Sequence, residues 1–153
     1  MTRKDVLLKA WEVSNDIESW FVPIRKAIEN VNAEQAAWKP EGVSGFNSIQ
    51  EITHHIFYYK ARFLCRLVGI DFETVTDNEV TFIAGLTWDW EEVREELFSV
   101  NSKIVAHIES LKDADFDQLQ PKEAIGQQLL DLATHDAYHA GQLVLIRKLQ
   151  GAW

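Results

Sequence analysis

Ser48-Ile49-Gln50-Glu51-Ile52-Thr53-His54-His55-Ile56 opens the stretch that decides the fold. Ser48 and Glu51 have the Ser-x-x-Glu spacing of a capping box, in which each residue satisfies a backbone N–H left over at a helix start. Ile49, Ile52, Ile56, Tyr59, Phe63 and Leu67 then recur at steps of three or four, and Gly69 suits the left-handed turn that closes a helix. This spacing predicts one amphipathic helix between Ser48 and Gly69, with its apolar side turned to a core.

Three other segments carry the same period. Val6, Ala10, Val13, Ile17, Phe21, Ile24 and Ile28 form the first, with Pro23 expected to kink that helix or end it near Val22. Asp89, a favourable N-cap, opens the next helix, which has the acidic Glu91 and Glu92 in its first turn and the stripe Trp90, Val93, Leu97, Val100, Ile104, Ile108 and Leu111. The last helix starts between Pro121 and Ile125, carries Leu129, Leu132, Leu143 and Ile146, and stops at Gly151. Residues 31–47 hold Pro40, Gly42 and Gly45 and read as a loop, and residues 112–120 are polar and acidic. Residues 70–88 include the β-branched Val75, Thr76, Val80, Thr81 and Ile83, a pattern that fits a short strand or an extra helical turn equally. Four one-faced helices in 153 residues imply an all-α four-helix bundle with long inter-helix connections, one domain over residues 1–153. Whether the bundle runs simply up and down or has a crossover stays open.

The formal net charge of -9 argues against nucleic acid or an anionic membrane as a bulk electrostatic partner. No apolar run is long enough to span a bilayer, and the N-terminus leads into an amphipathic pattern rather than a signal peptide. A single cysteine, Cys65, excludes an internal disulfide and suits a reducing cytoplasm.

Four of the five histidines fall in two short stretches. His135 and His139 are four apart on a predicted helix, so both rings lie on one face, one turn apart. Leu132 and Leu143 place that face on the buried stripe. Two buried imidazoles side by side are unfavourable unless something bridges them; a metal ion does so, and the other reading is a pair of partly buried structural histidines bonded to carboxylates or backbone, with no metal. His55, three after Ile52 and four before Tyr59, also points inward, whereas His54 is turned about 100° away and is expected to face outward or sideways. Three inward histidines leave an open position for water or substrate. Glu51 and Asp131 each stand one turn before a candidate ligand. Either can serve as a fourth ligand, as a carboxylate behind a histidine, or simply as solvated charge. Tyr59 and Tyr138 are candidates to line a pocket. His107 reads as a structural histidine, and Cys65 as a small core residue too far along the helix to share the ion.

At these residues the sequence resembles the DinB-like (DinB/YfiT) superfamily. The run from Ser48 to Ile56 is similar to the family's second-helix motif, in which the first metal ligand falls on His55. The run His135-Asp136-Ala137-Tyr138-His139-Ala140-Gly141-Gln142-Leu143 is similar to its last-helix motif H-x3-H-x-G-Q, which places the other two ligands on His135 and His139. Arg147 to Gly151 resembles the family's closing motif. Ala140 stands where many members have arginine, and Asp131 where many have histidine. The resemblance implies a metal-binding four-helix bundle, often a homodimer, with one divalent ion, typically zinc or nickel. Characterised members of the family include thiol-dependent S-transferases and, separately, a mycothiol-dependent maleylpyruvate isomerase, so the resemblance also implies a metal-activated thiolate or water, with thiol S-transfer the expected reaction. The small-molecule partners would be a low-molecular-weight thiol and an electrophile. Glu51 and Asp131 are the candidates to move a proton; hydrolysis is the weaker variant. The alternative is a non-catalytic metal-binding or protein-interaction bundle, with Trp11, Trp88 and Trp153 on a partner surface.

Overall fold

A computed structural model describes residues 1–153. It contains α1 (Arg3–Asn15), α2 (Ile24–Ala27), α3 (Ala33–Ala37), α4 (Ile49–Val68), α5 (Val80–Ile83), α6 (Trp90–Ser110) and α7 (Ile125–Leu149), with 3-10 turns at Ala84–Thr87 and Asp113–Asp117. There is no strand, so residues 70–88 resolve into an extended run followed by helical turns.

The caps act as the sequence implies. The Ser48 side chain accepts from the Glu51 N–H, and the Glu51 carboxylate accepts the Ser48 N–H at 2.7 Å. Gly69 closes α4 at φ 72, where a side chain would be strained. Asp89 accepts the Glu91 N–H to start α6.

Cross-helix bonds set the directions. Arg3 pairs with Asp113 and Asp117, and Lys4 donates to the Glu109 carbonyl, while Asn101 near the middle of α6 donates to Asp16. So α1 and α6 are antiparallel. Gln50 donates to the carbonyls of Gly85 and Trp88 just ahead of α6, and Lys60 reaches Asn101, so α4 and α6 run the same way. Contacts of His55 with His135 and of Arg66 with Gln128 make α7 antiparallel to α4. The order is therefore up-down-down-up. The parallel pair requires the long 69–89 crossover, which settles the topology left open by the sequence.

The α4 and α6 stripes are buried as expected, apart from half-buried Tyr59 and Leu111. The first helix differs. It ends at Asn15, well before Pro23, and Pro23 caps α2 instead of kinking α1. Ser14 bonds back to the Ala10 and Trp11 carbonyls, and Asn15 to the Trp11 carbonyl. Such side-chain bonds compete with helix propagation. The buried side of α1 is Leu7, Trp11 and Ser14, one residue out of phase with the stripe beginning at Val6, which is exposed. Trp11 is fully buried and so is not on a partner surface, and Trp88 is half-buried against His54 and Phe57. Trp153 is half exposed beneath the Arg147 guanidinium.

One polar cluster sits at the bundle centre. The Lys60 ammonium, fully buried, meets Asn15, Asn101 at 2.9 Å and Asp136 at 2.9 Å, and lies 4.6 Å from the Trp11 ring centroid. It thereby joins α1, α4, α6 and α7.

Candidate metal centre

His55 on α4 and His135 and His139 on α7 converge. His55 Nε2 lies 2.9 Å from His135 Nε2, and His139 Nε2 lies 3.1 Å from the same atom. These three side chains form a group able to hold a metal ion. His55 and His139 are buried and His135 half-buried.

Hydrogen bonds fix which nitrogens carry protons. The Thr81 hydroxyl donates its one hydrogen to the Asn78 carbonyl at 2.6 Å, so its oxygen accepts from His55 Nδ1–H at 2.6 Å. The Gln142 amide nitrogen donates to the Tyr138 hydroxyl, and its oxygen accepts from His139 Nδ1–H at 2.7 Å. Both Nε2 atoms therefore present lone pairs to the third Nε2. A single N–H on His135 serves only one of them, whereas a cation serves all three. Zinc–nitrogen bonds of about 2.0–2.1 Å in tetrahedral geometry place ligand nitrogens roughly 3.3 Å apart, close to the 2.9 and 3.1 Å from His135 Nε2 to its two neighbours. The donor set fits a borderline divalent ion.

Burial first, then the neighbouring histidines, pushes His55 from 6.5 down to about 3. Burial and then His135 bring His139 from 6.5 to about 4. Both rings are thus neutral near pH 7, the form that binds metal.

Behind His135 stands Asp136, fully buried, its Oδ1 3.7 Å from His135 Nδ1. Neither His135 Nδ1 nor either Asp136 oxygen has a hydrogen-bond donor or acceptor; the Lys60 contact has the distance of an ion pair but not the angle of a hydrogen bond. Burial alone would raise the Asp136 carboxyl. The charge of Lys60 and contacts with His135 and Lys60 reverse this and hold it below the ordinary range.

The cluster opens on a cavity of about 820 Å³, lined along α4 and α7 and roofed by Phe82, whose ring stacks on His55 at 3.8 Å between centroids. Tyr59 and Tyr138 line it, as expected. Asp131 is exposed and lines it as well. Glu51 is buried and held by the Ser48 N–H and by Lys39 at 2.7 Å, and makes no bond to a histidine of the cluster. His54, expected to face outward, is buried instead, because the Ala84–Thr87 turn covers it and its Nδ1 bonds the Thr81 carbonyl at 2.6 Å. His107 is half-buried outside the cluster, and Cys65 is free and half-buried rather than in the core.

The residues that aim the histidines were missed in the sequence. Gln142 lies three after His139, so helical spacing could have found it. Asp136 and Lys60 fall on buried stripes, Asp136 three after Ala133 and Lys60 four after Ile56, and charge at such positions is a signal. Thr81 left none.

Fold and site together define an all-helical bundle with a metal-competent tri-histidine centre at the α4–α7 seam. The sequence profile of the DinB superfamily matches residues 24–143, a span holding all three histidines. The chain belongs to the DinB superfamily. No curated protein and no solved structure gives a match.

Proposed function

We propose that this chain is a divalent-metal-dependent enzyme that transfers a low-molecular-weight thiol to a small electrophile, with zinc or nickel held by His55, His135 and His139. The observation that carries the reading is the convergence of three imidazole nitrogens, two of them with assigned lone pairs, on the floor of a cavity sized for a small molecule. Three ligands leave a coordination position open. A divalent ion there favours the deprotonated form of a thiol or water near neutral pH.

The chain's own residues supply the rest. Thr81 and Gln142 hold two rings with Nε2 forward. Asp136 faces His135 Nδ1 and takes its N–H after a small ring rotation, the arrangement by which a carboxylate raises histidine basicity. Asp131, the carboxylate that lines the cavity one turn before His135, accepts the thiol proton. The sulfur then forms its bond to the electrophilic carbon, and the leaving group departs with the electron pair. Glu51 has no part, being committed to its cap and to Lys39. The proposal includes the homodimer implied by the family resemblance. Light scattering at micromolar concentration is expected to give twice the chain mass, and a monomer would remove that element alone.

The test is a screen of small thiols against reactive electrophiles with metal-loaded, metal-free and His139→Ala protein. Turnover is expected only in the loaded wild type. Metal binding without metal-dependent turnover for any thiol would point to a non-catalytic metal-binding bundle.

A further inference from the structure

On α4, His55, Tyr59, Arg62 and Arg66 follow at steps of four, three and four, and all four line the cavity. Helical rise puts Arg62 about 10 Å and Arg66 about 16 Å along the axis from His55. The cavity is thus a trough with the histidines towards one end and two guanidinium groups towards the other.

Those two groups are unusual in this chain. Arg3, Arg25 and Arg94 pair with carboxylates, and Arg147 caps carbonyls of α2. Arg62 and Arg66 make no ion pair, although the chain has 24 acidic side chains. Arg62 Nε is enclosed and without a partner. Arg66 donates to the neutral Gln128 amide oxygen at 2.9 Å. The nitrogen of that amide is tied to the carbonyls of Gln120 and Glu123, at 2.6 and 2.9 Å. So Arg66 is aimed but not neutralised. Glu123 and Asp131 line the trough yet pair with neither. Two like charges one turn apart on a helix repel, and half-burial strengthens the repulsion. An anion between them removes it, and the planar fork of arginine matches a carboxylate.

We propose that Arg62 and Arg66 form a carboxylate subsite, so that the small molecule taken by the trough carries an acidic group about 10 Å from its reacting end. This deepens the functional reading above and rests on the trough being its ligand site.

The probes are 6-mercaptohexanoate and the neutral 6-mercaptohexanol. Two readouts are used: the 15N Nε–H signals of the arginines in zinc-loaded protein, and the near-ultraviolet thiolate band of cobalt-loaded protein. The acid is expected to bind at least about tenfold tighter than the alcohol, the least that a charge-assisted pair contributes, and to shift the Arg62 Nε–H signal. Arg62→Gln with Arg66→Gln should abolish the preference and leave the affinity for the alcohol unchanged, while Arg62→Lys should keep part of it. Equal affinity for acid and alcohol, no binding of either, or a preference that survives the double variant would overturn the subsite. Should the double variant fail to fold, an Arg62 signal unmoved by saturating acid in the wild type overturns it equally. Carboxylate binding with no cobalt–thiolate band supports the subsite and instead sinks the thiol chemistry.

Discussion

Thr81 shows how much of the site depends on a single proton. Its hydroxyl hydrogen is committed to the Asn78 carbonyl, so its oxygen forces His55 to present Nδ1–H and keep Nε2 free. Thr81→Val should therefore lower metal affinity about 10–100-fold, read by competition with a chelator, while Thr81→Ser stays near wild type. A second consequence concerns acid. His55 and His139 titrate in the fold at about 3 and about 4, below the ordinary 6.5. Between those values the unfolded chain takes up protons that the folded one refuses. Metal-free protein should thus keep this part of its stability above pH 6.5 and lose it progressively as pH falls to about 3. Denaturant midpoints across that window check the sign, and a midpoint that rises on acidification would contradict it. At this scale, spacing made the convergence of His55, His135 and His139 legible, and the residues behind them were less so. Thr81 comes from a connection 26 residues away from His55, and nothing periodic links the two.

Among the elements, α4 was legible because its cap residue, period and glycine stop agree, and α6 because its cap and period do. In α1 the apolar residues permit two phases, and the polar pair Ser14-Asn15 bonds back along the helix in a way that composition does not announce. The 70–88 connection was undecidable because side-chain contacts with α4 hold it, not a pattern of its own. Tyr58 accepts the Val75 N–H, Tyr59 donates to Asn78, and Gln50 donates to the Gly85 carbonyl. Gly85 lies close against α4. A Cβ there would lie 2.6 Å from His54 Cβ and 3.3 Å from the Gln50 carbonyl oxygen. Gly85→Ala must then lift the Ala84–Thr87 turn from α4 and carry Thr81 away from His55. The expected result is weaker metal binding in a bundle whose helical circular dichroism is little changed. Unaltered affinity would show that Thr81 is positioned independently of this contact.

For the whole molecule, the buried Lys60–Asp136 pair links bundle and site. It ties four helices at their centre and faces the back of His135. Breaking one side leaves a buried ammonium without its counter-charge, so Asp136→Asn should cost about 3–5 kcal/mol, measured by denaturant unfolding of the metal-free protein. Lys60→Met with Asp136→Leu should recover most of the stability, because an apolar pair carries no desolvation penalty. It should not recover metal affinity, because His135 then lacks its carboxylate. The bundle class was legible from four amphipathic periods, whereas the parallel α4–α6 pair was not, since direction is set by contacts distant in sequence. Elemental analysis of the purified, untagged chain after exposure to zinc or nickel decides whether the three histidines hold an ion. About one divalent ion per chain is expected, lost in His139→Ala. Protein that takes up neither metal, or a variant that keeps full occupancy, would contradict it.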